Sequence, residues 1–136
     1  MGAATIVAQL PERIEKVFLN ATNELSPNGF YAVKLQALGV THTVIIDDYL
    51  PLVHNEAKNT WQTEFTTISE DPSKSPLWPV MLEKALAKYY GNYSHLTGVD
   101  TLTALSALAG GPVERITLQD LKNSDALWDK IKKHHE

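Results

Sequence analysis

Residues 44–51 read VIIDDYLP and carry the clearest strand signal in this chain. Three β-branched residues, a type enriched in strands, run directly into the carboxylates of Asp47 and Asp48. Two adjacent carboxylates at the end of an apolar run have three interpretations: a metal site, a catalytic pair, or the polar end of a strand. The choice among them determines whether the chain carries out chemistry itself.

The strand signal extends backwards into a hairpin. In FYAVKLQAL, residues 30–38, alternate residues fall on one face, namely Tyr31, Val33, Leu35 and Ala37. Gly39 interrupts the pattern, and THTVIID, residues 41–47, resumes it. We therefore predict an antiparallel hairpin, followed by a polar loop at 55–59 and a third, shorter strand within TEFTTI, residues 63–68.

Helices are predicted on both sides of this hairpin. Residues 3–10 have the composition of the tail of a buried helix, and Pro11 opens a short amphipathic helix, PERIEKVFL. Ser75 as N-cap and Pro76 as first helical residue are expected to start a longer helix that ends at Gly91. The expected buried stripe of this helix consists of Leu77, Trp78, Met81, Leu82, Ala85 and Tyr89.

Two more helices and one short strand complete the prediction. One helix is expected from the N-cap candidate Asp100 to Gly110-Gly111, and Ser124 is expected to cap the last helix. ERITL, residues 114–118, is a candidate strand between them. The last helix is expected to turn three side chains inward, those of Leu127, Trp128 and Ile131. Helices packed with a small antiparallel sheet give an α+β fold class.

The composition is that of a globular protein and excludes several classes. The chain has 136 residues, 43% of them apolar and 21% charged, so a single domain or part of one is expected over 1–136. No apolar run approaches the about 20 residues of a membrane-spanning helix. The net charge of −4 argues against nucleic acid as a partner, because phosphate binding needs a concentrated basic surface. The absence of cysteine excludes disulfides and a thiol nucleophile in this chain, and it fits a reducing, cytoplasmic location.

A metal site is the first chemical hypothesis for VIIDDYLP. His42, Asp47, Asp48 and His54 lie close in sequence, and imidazole with carboxylate suits zinc or iron. However, His42 and Asp47 have opposite parity on a strand and would face opposite sides. Asp48 shares the side of His42 but lies about 20 Å away along an extended strand. The spacing favours a solvated strand end, so no metal ligand is assigned.

Two further catalytic hypotheses are weak. Asp47 and Asp48 would point apart on a strand and could not flank one substrate bond, so one of them is expected to hydrogen-bond the turn at 49–51 instead. Ser94-His95 is a pair of sequence neighbours, which is a poor arrangement for a nucleophile and its base, and the chain has no G-x-S-x-G motif. A surface turn is the favoured interpretation of Ser94-His95.

The remaining candidates also favour structural interpretations. Gly110-Gly111 lacks the following Lys-Ser/Thr of a phosphate loop, and His134-His135 is expected to be a frayed terminus. The lysines near the end of the chain complement the dipole of a helix C-terminus. The tryptophans are expected in the core rather than on a binding platform; they are Trp61, Trp78 and Trp128.

The order of segments nevertheless resembles the catalytic core of calpain-type cysteine endopeptidases. The similar segments are VIIDDYLP, LWPVMLEKALAKYYGNYSHLTG, ALAGGPVERITL and ALWDKIKK, preceded by AATIVAQLPERIEKVF and GFYAVKLQALG. In that family a strand ends Asp-Asp-x-Leu-Pro, and a helix reads Trp-x-x-Leu-x-Glu-Lys-Ala-x-Ala-Lys. The matching residues are Asp47, Asp48, Leu50, Pro51, Trp78, Leu82, Glu83, Lys84, Ala85, Ala87 and Lys88, followed by Gly91, Tyr93, Leu96, Gly98, Gly110 and Gly111.

This resemblance implies a papain-like fold and mechanism. A Cys thiolate would attack the peptide carbonyl, a His would act as base and then acid, and an Asn would orient the His. The resemblance places the Cys-Trp segment before residue 1 and the His and Asn motifs after residue 136. We therefore assign no catalytic residue here and expect a fragment of a calpain catalytic core that is inactive alone. Its implied partners are protein or peptide substrates of the full-length protein and the missing remainder of the core. The alternative is a pseudoprotease module that binds protein partners.

One departure from the family concerns calcium. The family helix usually begins Ser-Glu-Phe-Trp, and the resemblance implies that this Glu ligates a regulatory calcium ion. Pro76 stands at that position here and offers no side-chain oxygen. Glu70 and Asp71 are nearby carboxylates, but the loop differs in length. We therefore expect weak or absent calcium binding at this position, and no other cofactor.

Overall fold

A computed structural model describes residues 2–20, 25–64, 66, 76–117 and 124–133 of the chain. Within this part, two helices precede two hairpins, and further helices follow. The helices are α1 (Gly2–Val7), α2 (Pro11–Val17), α3 (Trp78–Tyr90), a 3₁₀ helix (Tyr93–Gly98), α4 (Thr101–Ala109) and α5 (Ser124–Lys133). The strands are β1 (Phe30–Ala37), β2 (Val40–Asp47), β3 (Leu52–Asn55) and β4 (Thr60–Thr63). Helices combined with small antiparallel sheets confirm the α+β class.

The predicted hairpin is present as β1 and β2. The strands pair antiparallel from Phe30 opposite Asp47 to Ala37 opposite Val40. Leu38 and Gly39 form the connection, with φ angles of 51° and 78°. Positive φ is what a two-residue hairpin turn needs, because its backbone twist then matches the twist of the strands.

The core forms around one face of this hairpin. Val33 and Leu35 on β1 are fully buried, and Ile46 on β2 is only 2% exposed. Helix α3 packs against β2, while α4 packs against β1 and also against α1. The alternation that predicted the strands therefore also identified their buried side, because residues two apart on a strand point to the same face.

Helix α3 starts two residues later than predicted. Trp78 is its first residue, Leu77 occupies the N-cap position, and Pro79 lies in the first turn. Pro79 suits that turn because its missing N–H would have no intrahelical acceptor. Pro76 therefore lies outside the helix, and Ser75 is outside the described residues. The end is as predicted, at Gly91 with φ of 109°. The buried face comprises Val80, Met81, Leu82, Ala85, Leu86 and Ala87. Of the predicted stripe, Met81, Leu82 and Ala85 are buried, Trp78 and Tyr89 are partly buried, and Leu77 is exposed and precedes the helix.

The second hairpin differs from the prediction. Strand β4 shares only Thr63 with the predicted TEFTTI strand, and it pairs with β3, which the sequence did not indicate. The turn between them lies at 56–59, in the predicted polar loop. Residues 65, 67 and 68 lie outside the described part of the chain. The observed register runs from Leu52 opposite Thr63 to Asn55 opposite Thr60.

The predictions for the last third of the chain were partly wrong. Helix α4 begins after Asp100, but the Asp100 carboxylate binds Arg115 at 2.6 Å and makes no cap hydrogen bond. Residues 114–117 form no strand, because no described strand lies beside them. In α5, Trp128 is 58% and Ile131 44% exposed, so they do not point into this core. None of the described helices is both long and apolar enough to cross a lipid bilayer.

Candidate functional site

The end of β2 is held by a lysine of α3. The Lys84 ammonium forms an ion pair with the Asp47 carboxylate and donates to the backbone carbonyls of Asp47, at 3.2 Å, and Tyr49. The Lys84 side chain is only 17% exposed. An ammonium has three N–H donors, and each of these contacts accounts for one of them. Lys84 therefore fastens the chain to α3 where β2 ends.

Asp47 makes a second, local hydrogen bond. The backbone N–H of Tyr49 donates to its Oδ1 at 2.9 Å, which is the turn contact that the sequence predicted for one of the two aspartates. The hydrogen bond from Lys84, reinforced by that from Tyr49, lowers the pKa of Asp47 below its ordinary value. Asp47 is therefore a stable carboxylate, whereas a general acid at neutral pH needs a raised pKa.

A second lysine of α3 also contacts β2, and Lys84 and Lys88 together are called the lysine seam. Lys88 lies one helical turn after Lys84, and its ammonium donates to the carbonyl of Ile45 at 2.7 Å. Ile45 and Asp47 are two residues apart on β2, so their carbonyls point to the same outer edge of the hairpin. An edge strand with unpaired carbonyls is a template for unwanted pairing, and lysines are a common way to block it. The Lys84–Lys88 pair closes this edge.

Asp48 contacts a different residue, Gly29. Its backbone N–H donates to the carbonyl of Gly29 at 3.0 Å, and its carboxylate lies against the same residue. A Cβ at Gly29 would stand 3.1 Å from Asp48 Oδ2, and Gly29 has φ of 66°. The two aspartates therefore have separate structural partners. They do not form a catalytic pair.

The structure does not group the candidate metal ligands His42, Asp47, Asp48 and His54. The His42 ring contacts Tyr89, with the ring centroids 5.6 Å apart, and the His54 ring contacts Trp61 at 5.1 Å. Asp47 and Asp48 have the partners described above. Throughout the described residues, no group of three or more His, Asp or Glu side chains is arranged to hold a metal ion.

Ser94 and His95 organise the start of the 3₁₀ helix. The Ser94 hydroxyl and the His95 backbone N–H both donate to Asn92 Oδ1, at 2.7 and 2.9 Å. His95 Nδ1 lies 2.8 Å from the carbonyl of Tyr90, which can only accept. These contacts fit the predicted surface turn and leave no serine–histidine pair.

The other sequence candidates have varied outcomes. Gly110 ends α4 with φ of 70°, a helix cap rather than a phosphate loop. Trp78 is half-buried against the core, but Trp61 is 69% exposed and Trp128 58% exposed, so the core prediction is wrong for two of the three tryptophans. His134 and His135, like the calcium candidates Glu70 and Asp71, lie outside the described residues.

Sequence reasoning missed the role of the charged residues on α3. Glu83 Oε2 accepts a hydrogen bond from the backbone N–H of Thr66 at 3.0 Å, so α3 also holds the segment after β4. Burial, with the charge of Glu83 next, raises the pKa of the nearby Tyr93 hydroxyl. The signal was present, since Glu83, Lys84 and Lys88 belong to the motif that resembled the family. Its partners lie 17 to 43 residues away and could not be read from spacing.

Comparison with known proteins places the whole chain in one family. The family model described as calpain family cysteine protease matches residues 1–136. Calpain-13 of Rattus norvegicus is 30% identical over 118 residues, which are 87% of this chain and 16% of that protein. Calpain-7 of Homo sapiens is 38% identical over 95 residues, 70% of this chain and 11% of that protein. The calpain-type cysteine protease DEK1 of Arabidopsis thaliana is 33% identical over 136 residues, 96% of this chain and 6% of that protein.

The chain thus spans 6 to 16% of the length of these relatives. The match covers α1, both hairpins and the helices that follow, which include the lysine seam. The resemblance seen in the sequence is confirmed, and the chain belongs to the calpain family of cysteine proteases.

Proposed function

We propose that this chain supplies scaffold to the catalytic core of a cytoplasmic calpain-type cysteine endopeptidase and has no peptidase activity alone. One observation carries the proposal: the family match covers residues 1–136, yet the chain contains no cysteine. The thiolate that the family mechanism needs must then come from another part of the parent protein. The cysteine-free sequence also suits a reducing compartment.

The geometry of α1 supports a scaffolding role. The resemblance assigns this segment to the rest of the helix that carries the nucleophile. Ala3, Ala4 and Val7 of α1 are buried to 3%, 3% and 2% exposure, and α1 packs against α4. A helix held this firmly fixes the position of a residue at its start, and catalysis depends strongly on such positioning.

The lysine seam supports the same role from the other side of the core. Lys84 and Lys88 join α3 to the outer edge of β2, so their ammonium groups are engaged in holding two elements of the fold together. The proposed substrates are proteins or peptides cleaved by the full-length protein. Because proline has no side-chain oxygen, Pro76 supplies no side-chain ligand, and calcium binding at this position is proposed to be weak or absent.

The test is to sequence the transcript on both sides of the region that encodes this chain. An in-frame Cys-Trp segment shortly upstream, with His and Asn motifs downstream, is the expected result and would identify a working protease. A replaced cysteine would contradict the peptidase proposal.

That second result would favour a pseudoprotease module that binds protein partners. Exposed apolar side chains on α5 support this alternative, because Trp128 and Ile131 lie three residues apart on one helix face. A partner pull-down with and without Trp128→Ser would then be the next experiment, with loss of the captured protein expected for the variant.

A further inference from the structure

A cleft of about 690 Å³ lies between α2, β1 and the end of α4. Its size falls within the range of about 300–1,000 Å³ that is usual for ligand pockets. Four of its six apolar lining residues belong to the buried core, whereas Leu19 is half exposed and Ala109 is exposed. The apolar lining residues are Val7, Val17, Phe18, Leu19, Leu108 and Ala109.

The rim of the cleft is cationic. Arg13 and Lys16 line it from α2 and Lys34 from β1, against a single carboxylate, Glu15. Three positive charges and one negative charge leave an excess of two in a chain whose net charge is −4. The rim therefore has the opposite sign to the protein as a whole.

Within the described residues, these three cations differ from the basic residues that are paired with carboxylates. Elsewhere in the described structure, Lys84, Arg115 and Lys130 each form an ion pair with a carboxylate. Among the same described residues, none of the three rim cations forms an ion pair. Their charge is therefore available to an anionic group that enters the cleft.

One wall of the cleft is already fixed. Gly110 ends α4 with φ of 70°, and a Cβ at this position would stand 2.8 Å from Cγ of Gln36, another lining residue. The end of α4 thus packs directly on β1. A pre-formed wall lowers the entropic cost of binding, because little has to be ordered when a ligand enters.

We propose that this cleft binds an acidic peptide segment of a protein partner, with one apolar side chain on the floor and flanking carboxylates on the rim. Arg13 and Lys16 are one helical turn apart, and Lys34 lies on a different element, so the charges are spread around an apolar centre. A chain with separated carboxylates matches this layout better than one compact anion. Nucleic acid is disfavoured by the overall negative charge.

The test uses fluorescence anisotropy of the full chain with the labelled peptide acetyl-Glu-Glu-Leu-Asp-Glu-amide. We expect saturable binding that weakens by about tenfold, or about 1.4 kcal/mol, in the double variant Arg13→Gln/Lys16→Gln. The matched control is Lys132→Gln/Lys133→Gln, which removes the same charge from α5 and should leave the affinity within about twofold. A peptide with glycine in place of leucine should bind less tightly to the unaltered chain, a comparison that does not depend on any variant folding.

Three results would overturn the proposal. The first is no saturable binding up to about 1 mM peptide, which corresponds to about −4 kcal/mol. The second is an equal loss of affinity in the two double variants. The third is equal binding of the leucine and glycine peptides together with full competition by inorganic phosphate, which would show simple attraction of anions. All three are independent of whether the parent protein is an active protease.

Discussion

The two hairpins share a topology but differ in what covers them. Both are antiparallel pairs joined by a short connection. Hairpin β1–β2 buries four apolar side chains beneath helices, whereas β3–β4 buries only the small Thr63. Leu52 of β3 is 52% exposed and Trp61 of β4 is 69% exposed. Strand pairing alone therefore does not make a core; the helices packed against the first hairpin do.

The outer edges of the two hairpins also differ in what covers them. The outer edge of β2 is closed by Lys84 and Lys88 of α3, and that of β1 by Asn20, which accepts from the N–H of Ala32 at 2.8 Å and donates to the carbonyl of Phe30 at 3.0 Å. Just after the second hairpin, the backbone N–H of Thr66 donates to Glu83 of α3. The first hairpin is thus integrated with the helices, and the second is peripheral.

The largest effect should come from matched leucine truncations in the two hairpins. Leu35→Ala removes a fully buried side chain and should lower the free energy of unfolding by about 2–5 kcal/mol. Leu52→Ala truncates a half-exposed side chain and should change it by no more than about 0.5 kcal/mol. Urea denaturation followed by circular dichroism measures both. Equal losses would mean that the second hairpin belongs to the core after all.

A smaller effect is expected at the lysine seam. Lys84→Met keeps the aliphatic stem but removes the donor for two carbonyls. We expect it to lower the free energy of unfolding by about 1–2 kcal/mol. Lys88→Met is the graded control, because Lys88 is exposed and serves only one carbonyl, that of Ile45. Lys88→Met should lower the free energy of unfolding by less than Lys84→Met does in the same urea titration. If Lys84→Met is neutral, the seam does not anchor the hairpin.

The pH dependence of stability sharpens the role of Asp47. The pKa of Asp47 is lower in the folded chain than in the unfolded chain, where it is about 3.9. The contribution of Asp47 to stability is therefore fully present above that pH and is lost as the pH falls through the folded pKa. The difference in stability between the unaltered chain and Asp47→Asn should therefore be constant near pH 6–7 and shrink below about pH 4. Thermal melts across this range measure it. A difference that grows on acidification would contradict the Lys84 pairing.

The smallest expected effect is a gain in stability from a substitution in the turn of the first hairpin. Leu38 is fully exposed and has φ of 51°, a conformation that asparagine tolerates better than leucine. Leu38→Asn should raise the free energy of unfolding by roughly 0.5 kcal/mol, part of the cost of about 1–2 kcal/mol that a left-handed residue carries. The control is Leu25→Asn, another exposed leucine outside the left-handed region. A loss of stability at Leu38 would indicate that its side chain has a role in the turn.

The sequence predicted the parts of the fold that depend on local periodicity and on glycine. Alternation identified β1 and β2 with their buried face, and Gly91 and Gly110 marked helix ends. It did not predict β3, because a four-residue strand that is exposed on both faces has no apolar alternation. The lysine seam was also missed, because it depends on contacts between distant segments. The prediction that the apolar face of α5 points into this core was wrong, because amphipathicity shows which face of a helix is apolar but not which surface covers that face.

We propose above that this calpain-family chain is scaffold and has no peptidase activity alone. The decisive assay for this proposal is hydrolysis of fluorescein-labelled casein by the pure chain, with and without calcium. The expected result is no release of fluorescence above the buffer control in either condition. Hydrolysis that disappears in Ser94→Ala, His95→Ala or Asp47→Asn would contradict the claim and reopen the question of a catalytic site within these residues.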